Sequence, residues 1–190
     1  MSDQNDLIII KKVLTGDITA YSLLVNTYKD LALTLAYNIV LNREDAEEIV
    51  QDAFVKAFVS LKTFKGNARF STWFYRIVVN TSLNRRKLKK LNTITIEEHS
   101  EEQIPNDITD GISNYNNEEQ KRFIKTALSM LAESERICLT MYYLNELAVD
   151  EINLLTGLSA SNIKVLLYRG RKHIYNKLQE ILKDEINHLM

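Results

Sequence analysis

Between Asn42 and Leu61 the apolar residues recur every three or four positions: Ala46, Ile49, Val50, Ala53, Phe54, Ala57, Phe58 and Leu61. That interval lays one apolar stripe along a helix. Asn42, with Asp45 three residues later, supplies a capping-box-like start in which Asp replaces the usual Glu. Upstream, Asp17 and Thr19 after Gly16 predict a capped helix through Tyr28, and Leu31–Leu41 forms a second, strongly apolar segment. Residues 62–70, with Gly66 and Asn67, read as a loop. Ser71 then caps a further helix whose inner face is Trp73, Phe74, Ile77, Val78 and Thr81.

The periodicity lapses over 91–118, where Pro105 and Gly111 sit among Asn, Asp, Glu and Ser. It returns at Gln120 with Phe123, Ile124, Ala127, Leu128 and Leu131, and helices follow near 134–144, 149–156 and 160–182. No internal repeat is visible. The pattern predicts an all-α fold of two small helical domains, 1–90 and 119–190, joined by a flexible linker over 91–118.

Composition narrows the choice. Among 190 residues there are five glycines and one proline, too few for the many tight turns of a β-sandwich or barrel. One cysteine, Cys138, excludes an internal disulfide framework and any metal site of several cysteines. No apolar run approaches the roughly 18 residues that span a bilayer. The start, MSDQNDLIII, has no basic stretch ahead of its short apolar run and does not read as a secretory signal. The expected compartment is the reducing cytoplasm. No cofactor and no metal site is expected.

The net charge of −1 conceals a segregated distribution. Residues 43–61 hold two basic and five acidic side chains. Residues 62–90 hold nine basic and no acidic ones; 91–120 hold eight acidic and no basic ones; 151–190 hold six basic and four acidic ones. A single block of this kind is either an interaction surface or tail or merely a solvated face; two opposite blocks in succession favour function.

Two stretches carry recognisable chemistry. In the C-terminal part, a short helix over 149–156, the turn Gly157-Leu158-Ser159 and a longer helix make a helix-turn-helix layout. Gly157 suits a left-handed helix end and Ser159 a cap. On the second helix Ile163, Leu167, Gly170, Ile174 and Leu178 form an inner face. Lys164, Tyr168, Arg171 and Lys172, with Arg169 beside them, lie on the outer side. With Ser159, Ser161, Asn162 and Val165 they form either the DNA-facing surface of a recognition helix or the basic surface of an ordinary helical hairpin. A recognition helix needs this division between a face held by its domain and a basic face turned to phosphates and base edges.

In the N-terminal part, Asp45, Glu48 and Asp52, with Gln51, form an acidic stripe suited to docking on a basic partner, to a cation or to catalysis. The next helix presents Arg76, Asn80, Asn84 and Lys87 on one face, with Arg85 and Arg86 alongside. Ahead of it lies the loop Phe64-Lys65-Gly66-Asn67-Ala68-Arg69-Phe70. Cations, amides and aromatics interleaved in this way suit single-stranded nucleic acid. Phe64, Phe70 and Trp73 are also candidate core residues.

REDAEEIVQDAFVKAF, FKGNARFSTWFYRIVVNTSLNRRK and LSASNIKVLLYRGRKHI, in this order and separation, resemble bacterial sigma factors of the extracytoplasmic-function (ECF) type. The resemblance covers nearly the whole chain: region 2 at about 5–90, a linker, and region 4 at about 120–185. It implies a protein that binds core RNA polymerase and directs it to promoters, with the polymerase supplying the catalytic site. By the resemblance, Asp45, Glu48, Gln51, Asp52, Phe54 and Phe58 face the clamp helices of the largest polymerase subunit, and the polymerase flap is a further partner. The loop 64–70, with Arg76, Asn80, Asn84, Arg85, Arg86 and Lys87, recognises and holds open the minus-ten element. The helix from Ser159 enters the major groove at the minus-thirty-five element. An anti-sigma factor is an expected partner. The chain departs from the family at Ala132, where a proline is usual; at Asn153, where a small residue is common; and at Leu166, where an arginine is common.

Two rival functions follow from the residues. A stand-alone helix-turn-helix regulator would bind duplex DNA tightly without polymerase. A helical hydrolase using the 44–52 carboxylates would need a metal or a phosphate cradle, and the sequence offers no Gly-rich phosphate loop or His-carboxylate cluster.

Overall fold

The computed structural model describes the backbone over residues 3–93 and 118–189, and the side chains over 4–89 and 120–183. All regular elements among the described residues are helical. The chain divides into two compact units, Met1–Ser100 and Glu101–Met190. The acidic linker, predicted over 91–118, lies at 94–117 outside the described residues.

In the first unit α1 (Asp3–Leu14) packs on α2 (Tyr21–Val40), and α2, α3 (Arg43–Ser60) and α4 (Phe70–Thr93) pack pairwise on one another. Alanines at the seams allow close helix approach: Ala32, Ala36, Ala46, Ala53 and Ala57 are fully buried. Around them Leu24, Leu35, Ile39, Ile49, Phe70, Phe74, Tyr75 and Val78 fill the core. Phe54 of α3 stacks on Phe74 of α4 with centroids 4.4 Å apart, and Tyr28 meets Phe70 at 5.4 Å. The Tyr28 hydroxyl also donates to the buried Asp6 carboxylate, tying α1 to α2. Apolar area and edge-to-face ring contacts both favour this arrangement.

The predicted break between Tyr28 and Leu31 is absent, and α2 is one helix of 20 residues. Its buried positions keep helical spacing straight through the charged pair Lys29-Asp30: Leu24, Tyr28, Ala32, Leu35 and Ile39. Neither charged residue breaks a helix, so the apolar stripe decides. Asp17 caps a 3₁₀ turn, Ile18–Ala20, ahead of α2. Its Oδ1 accepts from the Thr19 hydroxyl at 2.5 Å and from the Ala20 N–H at 3.3 Å. The Thr19 bond is the largest cause holding its carboxyl below the usual range. α2 ends at Leu41, in the left-handed region at φ 56°, with its N–H 2.7 Å from the Tyr37 carbonyl.

Asn42 caps α3 as expected, accepting from the Asp45 N–H at 2.8 Å. The capping box does not close, because the Asp45 carboxylate turns to α4. That helix starts at Phe70, where the Trp73 N–H bonds the Arg69 carbonyl at 3.1 Å, so Ser71 lies inside the first turn.

In the second unit α5 (Glu118–Ser129), α6 (Glu133–Leu139) and α7 (Val149–Thr156) each pack on α8 (Ala160–Leu189). The core is Ala127, Leu128, Leu131, Cys138, Leu139, Met141, Leu147, Ile152, Leu155, Ile163 and Leu167. Gly170 allows the close packing of α6 on α8: a Cβ there would lie 3.0 Å from Leu139 Cδ1 and 3.1 Å from its Cγ, so a larger residue requires Leu139 to give by a few tenths of an ångström. Buried Arg136 donates to the Leu131 carbonyl at 3.1 Å and to the Ser129 carbonyl at 3.5 Å, satisfying backbone acceptors at and just past the end of α5. Glu135, also buried, meets His173 of α8 at 2.7 Å.

The single helix expected near 134–144 is two pieces. After Leu139 the chain widens into a π turn, Thr140–Leu144, with the Asn145 N–H bonded to the Thr140 carbonyl at 3.0 Å. Glu146 then takes a left-handed conformation at φ 54°.

Candidate nucleic-acid interface

The helix-turn-helix is built by short bonds within it. Glu151 Oε2 accepts from the Ala148 N–H at 2.9 Å, holding the start of α7. Gly157, at φ 72°, ends it with an N–H bond of 2.8 Å to the Asn153 carbonyl. Asn153, where the family commonly has a small residue, spans the turn: its Nδ2 donates to the Leu158 carbonyl at 2.6 Å. Thr156 adds a second tie, its Oγ1 accepting from the Leu158 N–H at 3.2 Å. Ser159 caps α8, accepting from the Asn162 N–H at 3.3 Å and lying 3.1 Å from the Ser161 hydroxyl.

Beyond the cap, the inner face of α8 lies as read from the sequence: Ile163, Leu167 and Gly170 are buried, Ile174 and Leu178 half-buried. Ser159, Ser161, Asn162, Lys164, Val165, Tyr168, Arg169, Arg171 and Lys172 are all exposed, Tyr168 at 66%. Leu166 is half-buried.

In the first unit the loop 64–69 projects from an aromatic base. Phe64 is half-buried, 5.8 Å from the Phe70 ring and 5.4 Å from the Trp73 indole. Lys65, Gly66, Asn67 and Ala68 are exposed, and Arg69 is half-buried. Gly66 has φ 70°, a conformation that side chains disfavour. Phe70 does not join this exposed group. At 1% exposure it belongs to the core with Tyr28 and Phe74, and its side chain is not open to a base.

Along α4, Arg76, Asn80, Asn84 and Lys87 form an exposed stripe, with Arg86 half-buried beside it. Arg85 departs from the expectation. Its guanidinium bonds Glu48 Oε2 at 2.8 Å and Asp45 Oδ1 at 3.4 Å on α3, so it is occupied within the unit. Lys89 pairs with the other Asp45 oxygen.

α3 correspondingly sorts the docking residues. Glu48, Gln51, Asp52 and Phe58 are exposed. Asp45 faces α4, and Phe54 lies in the core at 8% exposure, so these two are corrected from surface to interior. The half-buried Tyr21 donates to the Phe54 carbonyl at 2.8 Å, and burial pushes its phenol up. Its ring packs edge-on against Phe58 at 5.0 Å. Val55 and Val59, exposed at 64% and 69%, extend the same face with Phe58. The sequence pattern missed them because they lie off the apolar stripe, and apolar residues interrupting the polar side of the helix are the signal that finds them.

Among the described residues no group of three or more His, Cys, Asp or Glu is placed to hold a metal ion, and no helix is long and apolar enough to cross a membrane.

The family model described as Sigma-70 region 2 matches residues 24–91, and that described as Sigma-70, region 4 matches 124–174. The chain is similar to the ECF RNA polymerase sigma factor SigW of Bacillus subtilis, 28% identical over 90% of this chain and 96% of that protein. It is equally similar to the ECF RNA polymerase sigma-E factor of Escherichia coli, at 28% over 96% of this chain and 100% of that one. In fold it resembles the sigma factor RpoE of Bartonella quintana, solved in complex with the anti-sigma factor NepR. The TM-score is 0.70 at 19% identity, covering 86% of this chain and 96% of that one. CnrH, solved with the cytosolic domain of CnrY, gives a TM-score of 0.60 at 19% identity, over 93% and 96% of the two chains. With both family regions matched in order across two separate helical units, the chain belongs to the sigma-70 family, in its extracytoplasmic-function branch.

Proposed function

We propose that this chain is the promoter-specificity subunit of RNA polymerase, acting in the cytoplasm as a non-catalytic partner of the core enzyme. The observation that carries the reading is the pairing of a bonded helix-turn-helix, with an exposed basic face, and a second unit bearing an exposed loop beside a basic stripe. Two DNA elements are thereby served by two modules, 1–90 and 119–190, tethered by the acidic stretch 91–118.

On α3 a continuous exposed stripe, Glu48, Gln51, Asp52, Val55, Phe58 and Val59, docks on the polymerase clamp helices. Its acidic end steers the approach and its apolar end is desolvated. The flap of the polymerase receives the second unit.

At the minus-ten element, extruding a base costs a few kcal/mol. Lys65, Gly66, Asn67, Ala68 and the Phe64 ring offset that by receiving the base at the loop. Arg76, Asn80, Asn84, Arg86 and Lys87 hold the strand. The face of α8 from Ser159 to Lys172 reads the minus-thirty-five element in the major groove. A protein such as the one bound to RpoE in its solved complex, an anti-sigma factor, is the expected regulator.

Run-off transcription on a genomic promoter library, with core polymerase alone and with this chain added, tests the reading. Defined starts that require the chain are expected. If none arises and the chain alone binds one duplex sequence tightly, it is a stand-alone regulator instead.

A further inference from the structure

Tyr142 and Tyr143 lie outside every position assigned above to nucleic acid. They sit in the π turn 140–144, whose buried residues are Thr140 and Met141 and whose two rings face solvent edge-to-face, centroids 4.9 Å apart. π turns of this kind recur at functional sites because the widened turn re-aims side chains. Here the effect is specific: the Tyr143 hydroxyl accepts from Arg171 Nη1 at 3.1 Å, across to the outer face of α8. That bond is the largest cause raising the Arg171 pKa, and Tyr142 and Tyr168 act on the same guanidinium in the same direction.

Resting on the reading of α8 as a DNA-facing helix, we propose that Tyr143 and Arg171 form a single binding site for one DNA backbone phosphate beside the recognition helix. The chemistry of the pair selects that ligand. A guanidinium carries five N–H donors and no acceptor. Giving one to Tyr143 leaves four. The hydroxyl, having accepted, keeps its own O–H to donate. The pair therefore presents mainly donors, on a fixed cation, which matches the several acceptor oxygens of a phosphate. A base edge in the major groove, with its mixture of donors and acceptors, is a poorer match. Holding the arginine before DNA arrives also lowers the ordering entropy lost on binding.

Tyr143 adds no charge, and this separates its role from that of an added cation. The test is titration of the full chain against a labelled random-sequence duplex at low and then rising salt. Tyr143→Phe is expected to weaken binding about fivefold, the size of one hydrogen bond, with the salt slope unchanged. Arg171→Gln weakens it and lowers the slope by about 0.9. The double variant binds within about twofold of Arg171→Gln, because the hydroxyl acts through the guanidinium it holds. Tyr175→Phe, whose hydroxyl accepts from Gln179 at 2.9 Å and touches no cation there, binds as the parent does.

Parent-like binding by Tyr143→Phe, full additivity in the double variant, or no binding by the parent at the lowest salt each overturns the site. Run-off transcription by the parent holoenzyme reads the function separately. Its failure alongside the expected duplex pattern removes the promoter reading and leaves the phosphate pair standing.

Discussion

Two non-glycine residues hold left-handed backbone, Leu41 and Glu146, and they differ in what surrounds them. Leu41 is half-buried at the end of α2, so its side chain contributes packing. Glu146 is exposed between the π turn and α7. Left-handed backbone costs an L-residue about 1 kcal/mol or more, whereas glycine adopts it freely at some cost in unfolded-chain entropy. Glu146→Gly should therefore stabilise the second unit by roughly 0.5 kcal/mol net. Urea unfolding followed by circular dichroism measures it, and an unchanged or lower midpoint would show that the conformation carries no strain. Cys138 gives the opposite kind of residue-scale statement. It is buried, and burial pushes its thiol up to about 11, so it is a core side chain with little thiolate at neutral pH.

At the scale of elements, α3 was the most legible helix, because its apolar residues hold one period from Ala46 to Ala57 and Asn42 supplies a cap. The α8 face was legible for the same reason. Other features were hidden by their physical nature. The continuity of α2 rests on buried contacts with α3 and α4 that outweigh a charged pair in its middle. The π turn leaves no period of its own. The bonds of Arg85 to Asp45 and Glu48 join residues 40 and 37 apart in sequence, a pairing that the helical stripes and the family resemblance do not reveal. Phe54 and Phe70 are buried, and the sequence leaves their core and surface readings both open because an aromatic in a functional motif and an aromatic in a core have the same one-dimensional signature.

The corrected surface of α3 yields a sharper prediction. Glu48→Lys with Asp52→Lys reverses charge at exposed positions and should leave helicity intact while reducing association with core polymerase at least tenfold, read by co-purification or fluorescence titration. Unchanged association would remove the docking stripe.

For the whole molecule, segregated charge is the dominant organising fact. Eight carboxylates over 91–120 follow nine cations over 62–90. On charge alone, we expect the acidic stretch to compete with DNA for the basic block in the free chain and so to make the isolated protein a weak DNA binder. In the holoenzyme two roles are open to the same stretch, threading a basic channel that later carries RNA or serving as a solubilising tether, and charge reversal separates them. Replacing Glu97, Glu98, Glu101 and Glu102 with lysine should then impair initiation more than promoter binding, measured as transcript yield against complex formation. Equal losses in both would show the stretch to be a tether without a channel role.

The aromatic base of the exposed loop has a practical consequence. Trp73 is the sole tryptophan of the chain, half-buried and flanked by Phe64 and Phe70 at 5.4 and 5.7 Å. Intrinsic indole emission therefore comes from the base of the loop proposed to receive a melted strand. No dye or engineered label is needed to watch it: a change in colour or brightness on mixing with unpaired oligonucleotide would time the arrival of the strand, from inside the protein's own hydrophobic interior.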